Sequence, residues 1–147
     1  MGWDRSASDF RVRIGAAVLA LVGIGITAYI LWERYHGNAP VCALGGGCET
    51  VQRSYWSAVD GVPVALLGLL AYIALLGCAL VPGQLAALAS FFVSLLGVLL
   101  SAWLSYLELF QIHAICEYCV SSAVIVTIVF ILSIVRMMLL NRDAGAG

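Results

Sequence analysis

The run Cys116-Glu117-Tyr118-Cys119 places two thiols three residues apart. On a helical turn such side chains share one face at about 5–6 Å, within reach of making and breaking a disulfide. A C-x-x-C pair of this kind is suited to redox exchange, or to supplying half of a metal site. A second pair, Cys42 and Cys48, flanks Gly45-Gly46-Gly47. Glycine relaxes the backbone, and an extended stretch of this length reaches about 20 Å, so the two loop thiols can be oriented separately. Exchange proceeds by attack of a thiolate on a reachable disulfide. A flexible pair and a rigid pair therefore suit a relay, in which electrons from a soluble dithiol reach the loop, pass to the C-x-x-C and leave to a lipid-soluble acceptor such as a quinone.

The elements that must position these thiols are membrane helices. The chain has 147 residues, 63% hydrophobic and 10% charged, with mean hydropathy +1.06; soluble domains carry about 25% charged residues. This implies an all-α integral membrane protein, a four-transmembrane-helix bundle with a long exoplasmic loop between helices 1 and 2. The length suits a single membrane domain over 1–147, at about 20 residues per span. The expected spans are 14–32, 62–81, 85–107 and 119–140, with the cysteine loop at 33–61. The first run is longer than the roughly 7–15 apolar residues of a signal core. Pro82-Gly83-Gln84 is so short a connection that the second and third spans must be antiparallel neighbours. Ser90, Ser94, Gly97, Ser101 and Ser105 form a small-residue stripe suited to helix packing. Within the loop, Glu49 to Trp56 suits a short interfacial helix, with Tyr55 and Trp56 at the headgroup level.

All the basic residues are arginines, and they set the expected orientation. Arg5, Arg11, Arg13, Arg136 and Arg142 belong to the two ends of the chain, while only Arg34 and Arg53 lie in the long loop. The positive-inside rule then places both termini in the cytoplasm and Cys42, Cys48, Cys116 and Cys119 on the exoplasmic face. Arg136 is expected to snorkel to the cytoplasmic surface. The rest of the spans carry no charge, which argues against an ion transporter. A net charge of −1 and the absence of a basic run give no reason to expect nucleic acid.

At the start of the fourth helix the dipole favours a thiolate, while Glu117 opposes it. Cys119, deeper in the segment, is the better placed of the pair to face an acceptor dissolved in the membrane; Cys116 is the better placed to meet a loop cysteine. His36 and His113 are expected to be solvated loop residues, and Cys78 a small packing residue. The cysteines also leave open a different class of protein, a non-enzymatic membrane module with structural disulfides or a Cys₄ metal site.

In combination, four spans, the loop pair Cys42 and Cys48, Ser54 six residues later, the run from Gly61 to Gly68 (GVPVALLG) entering the second helix, and Cys116-x-x-Cys119 at the fourth resemble the vitamin K epoxide reductase family, in its bacterial branch. The resemblance covers nearly the whole chain. It implies a quinone-reducing thiol oxidase of the plasma (inner) membrane that supports disulfide bond formation, with menaquinone or ubiquinone as acceptor. It also implies a thioredoxin-like (DsbA-like) partner. Carried over by position, Cys119 reacts with the quinone, Cys116 exchanges with Cys48, Cys42 meets the partner, and Ser54 and Trp56 lie near the quinone. Vertebrate members resemble this chain but carry a tyrosine four residues after the C-x-x-C and an asparagine at the start of the second helix. Here the first position is Ala123 and the second region has no asparagine, so a quinone rather than vitamin K epoxide is the expected acceptor. Some bacterial relatives carry a fused thioredoxin-like domain; with this chain ending at Gly147, the partner is expected to act in trans.

Overall fold

The computed structural model describes residues 2–37, 58–59, 62–107, 109–110 and 117–145. Among the described residues four helices carry the fold: α1 (Gly2–Tyr35), α2 (Val64–Leu80), α3 (Gln84–Leu107) and α4 (Glu117–Gly145). Two short strands, β1 (Ala58–Val59) and β2 (Val62–Pro63), pair antiparallel ahead of α2, with Ala58 opposite Pro63 and Val59 opposite Val62. The helices form a closed ring in chain order, each packed on its sequence neighbour and α4 returning to α1. Stretches Ala7–Tyr35, Gln84–Leu107 and Glu117–Arg142 are long and apolar enough to cross a membrane. The chain is a multi-pass membrane protein.

Several boundaries differ from those expected. Helix α1 begins at Gly2 and ends at Tyr35, overrunning the 14–32 span at both ends. Its polar first turns stay helical because Asp9, Val12 and Arg13, spaced three and four apart, turn one face inward. His36 lies exposed in the turn after α1, as expected of a solvated loop residue, with its Nδ1 2.9 Å from the Trp32 carbonyl oxygen and its ring 4.5 Å from the Trp32 indole. Helix α2 begins at Val64, not at Val62, because Val62 and Pro63 are committed to the strand pair. Most of the 33–61 stretch, with the interfacial helix expected at 49–56, lies outside the described residues.

Helix α2 has 17 residues, about 25 Å at 1.5 Å per residue, which is less than the roughly 30 Å hydrocarbon core. Its final carbonyls have no partners further along the helix. Two arginines from other helices supply the donors. Arg13 of α1 donates from Nε to the Ala79 carbonyl at 2.8 Å and from an Nη to that of Leu80 at 2.6 Å. Arg136 of α4 donates to Cys78 at 2.9 Å and to Val81 at 2.8 Å. Asp9 stands 3.5 Å from Arg136 Nε, long for a hydrogen bond but close enough to balance the buried charge. Arg136 is only 3% exposed. The expectation that it snorkels to the surface is therefore corrected: two carbonyl acceptors and an acidic partner inside the bundle hold it there.

Elsewhere the packing depends on small residues. Along the α3–α4 seam Ser94 is fully buried and donates to the Ser90 carbonyl at 2.7 Å, while the Ser90 and Ser133 hydroxyls meet at 2.8 Å. A Cβ at Gly97 would lie 2.7 Å from Val126 Cγ2, and one at Gly23 would lie 2.5 Å from the Tyr72 ring. The core at this level is Ala20, Tyr72, Leu75, Ile125 and Val129.

Replacing Arg136 by Met should lower stability by about 3–5 kcal/mol, because Asp9 and two carbonyls lose their counterpart together. Arg136→Lys should recover only part of this, since an ammonium lacks the planar fork that reaches two carbonyls. Unfolding midpoints of the purified protein in detergent measure both; a wild-type midpoint for Arg136→Met would refute the cap.

Candidate functional site

The helices line a partly open cavity of about 400 Å³, within the roughly 300–1,000 Å³ usual for small-molecule sites. Helices α2, α3 and α4 form most of its wall, and Thr27 and Ile30 of α1 complete it. The surface is mainly aliphatic, with Leu67 and Ala71 from α2, Leu96 and Leu100 from α3 and Val126 from α4.

Cys119 lines this cavity from the first turn of α4, partly buried. The start of that helix is fixed against α1 by Tyr118, whose ring lies 5.6 Å from that of Tyr29. Ser122 follows Cys119 by three residues and so lies on the same helical face. The Ser122 hydroxyl meets the Tyr72 hydroxyl at 2.7 Å, and Tyr72 Oη is also 2.9 Å from the Ser122 carbonyl. Thr27, the polar wall residue from α1, donates its hydroxyl to the Gly23 carbonyl of its own helix at 2.8 Å.

The small-residue stripe of α3 divides into two parts. Ser90, Ser94 and Gly97 close the seam with α4, as packing residues should. Ser101 and Ser105 line the cavity instead, and Gly97, where the two parts meet, borders both seam and cavity. Cys78 sits at the opposite end of α2, where its carbonyl accepts from Arg136. Cys42, Cys48, Ser54, Trp56, Cys116 and His113 lie outside the described residues.

Tyr72 and Ser122 were not singled out by sequence reasoning. The available signal was a tyrosine in the middle of an otherwise apolar helix, since a buried phenol needs a hydrogen-bond partner. A quinone, with a flat ring, two carbonyl oxygens and an apolar tail, suits this wall of aliphatic side chains interrupted by hydroxyls.

The sequence profile of the vitamin K epoxide reductase family matches residues 15–134. The chain belongs to that family. The matched region takes in α2 and α3, most of α1 and α4, and every residue of the cavity wall. Members of the vitamin K epoxide reductase family are membrane thiol–disulfide oxidoreductases, and quinones are their general redox partners. This chain is accordingly a membrane oxidoreductase with Cys119 on the wall of its cavity.

The two halves of the α3 stripe should respond differently to the same substitution. Ser101→Phe fills cavity volume and should abolish binding of an apolar naphthalene dye while leaving the melting temperature within a few degrees of wild type. Ser94→Phe overpacks a fully buried seam position and should cost at least about 1–3 kcal/mol. Dye fluorescence and thermal unfolding separate the two; equal loss of stability in both variants would place Ser101 in the seam.

Proposed function

We propose that this protein is a quinone-reducing thiol oxidase that regenerates the disulfide of an extracytoplasmic thioredoxin-like protein acting in trans. Two partner thiols give up an electron pair and two protons and become a disulfide; a quinone, menaquinone or ubiquinone, takes both and leaves as quinol. Within the chain, Cys42 exchanges with the partner, Cys48 carries the exchange to Cys116, and Cys119 faces the acceptor. Ser54 and Trp56 cover the quinone from the loop. The protein lies in the plasma (inner) membrane with both termini cytoplasmic and the four cysteines exoplasmic.

The observation that carries this reading is the position of Cys119 on the wall of an apolar cavity of about 400 Å³. A thiol there meets lipid-borne molecules without leaving the helix that holds it. Family membership supports the same chemistry. Apolar lining also favours ligands that partition from lipid over those that arrive from solution.

The test is quinol formation by the purified full-length chain, supplied with a reduced thioredoxin-like protein and a short-tailed ubiquinone. Cys119→Ala should reduce the rate to the uncatalysed background. Cys42→Ser should stop turnover with the protein dithiol and preserve it with dithiothreitol, which is small enough to reach the helix pair directly. Wild-type quinol production by Cys119→Ala would overturn the proposal, and a mixed disulfide of the partner with Cys116 in place of Cys42 would overturn the order of the relay.

A further inference from the structure

Tyr72 and Ser122 join α2 to α4 across the ring, on the face of α4 that also carries Cys119. Tyr72 is 3% exposed, and its ring has room only because residue 23 of α1 is glycine. Both residues line the cavity. Gly23 and the α4 contact thus hold the phenol at one spot beside the cavity.

The hydrogen count of this pair is informative. Two hydroxyls bring two hydrogens, and three oxygens lie within reach: the two hydroxyl oxygens and the Ser122 carbonyl. In one arrangement Tyr72 donates to the Ser122 carbonyl and Ser122 donates to Tyr72 Oη. Both hydrogens are then used within the pair. In the other, Tyr72 donates to Ser122 Oγ, and the Ser122 hydrogen is released toward the cavity. Rotation of two hydroxyls interconverts them without movement of any heavy atom. Such a pair avoids the cost of an unsatisfied buried donor and still offers one when an acceptor arrives.

We propose that the Tyr72–Ser122 pair donates this hydrogen to a carbonyl oxygen of the quinone, anchoring its ring beside Cys119 and selecting ring ligands that carry an oxygen at that position. The inference rests on the cavity being the quinone site. It adds the group that orients the ring there. Thr27 is a weaker candidate for this task because its hydroxyl is committed to the Gly23 carbonyl.

A pair of ligands that differ only in their oxygens tests this in the purified full-length chain. Calorimetric titration with 2-methyl-1,4-naphthoquinone and with 2-methylnaphthalene gives the affinity of each for wild type, Tyr72→Phe and Ser122→Ala. Loss of one hydrogen bond should weaken the naphthoquinone by between about two- and tenfold. The hydrocarbon should bind all three proteins equally. Equal weakening of both ligands would show that the pair only holds helices together, and unchanged affinity for both would show that it touches neither; each result overturns the proposal. Ser122→Ala retains the Tyr72 bond to the Ser122 carbonyl, so it serves as the test if Tyr72→Phe fails to fold. A wild-type protein that takes the hydrocarbon but not the naphthoquinone would instead overturn the quinone reading of the cavity, and this inference with it.

Discussion

Unpaired carbonyls at the end of a short membrane helix set the terms for the rest of this structure. Helix α2 stops at Leu80, and the four carbonyls from Cys78 to Val81 accept from Arg13 and Arg136. A helix-end carbonyl left without a donor away from water costs several kcal/mol. The donors come from α1 and α4, so satisfying one helix end fixes three helices relative to each other. Arginine suits the task because its guanidinium stays charged and presents several donors in a fixed plane.

The same two helices, α2 and α4, are tied again by Tyr72 and Ser122. These helices are not neighbours in the ring, and long side chains bridge the gap between them. Where small residues allow close approach, as at Ser90 and Ser94, helices touch directly. Where the diagonal is bridged by a tyrosine, space remains beside it. The cavity is thus a product of which residues are large and which are small.

Much of this was legible in the sequence. Runs of about 20 uncharged residues identified the helices, and the short Pro82-Gly83 connection fixed α2 and α3 as neighbours. Cysteine spacing pointed to thiol–disulfide chemistry, the chemistry of the family to which the chain belongs. Other features depend on residues far apart in the chain. Arg136 was read as a surface residue because nothing near it in sequence balances its charge; Asp9, more than a hundred positions earlier, does so. Ser101 and Ser90 occupy equivalent places in one periodic stripe, yet one faces a cavity and the other a seam. Periodicity identifies a face of a helix, and the partner's side chains decide what that face meets. The Tyr72–Ser122 contact was hidden for the same reason, because a single hydroxyl in an apolar run does not disclose its partner.

The shared cap also has a consequence for the order of assembly. Arg13 precedes α2 in the chain and is available as soon as that helix enters the membrane, whereas Arg136 arrives only with the last helix. Until then the Cys78 and Val81 carbonyls stay without their donor, and the α2–α3 hairpin retains a drive to recruit α4. The helix so recruited also carries Cys119 and Ser122. Completion of the bundle at one end and placement of Cys119 on the cavity wall toward the other therefore depend on the same helix.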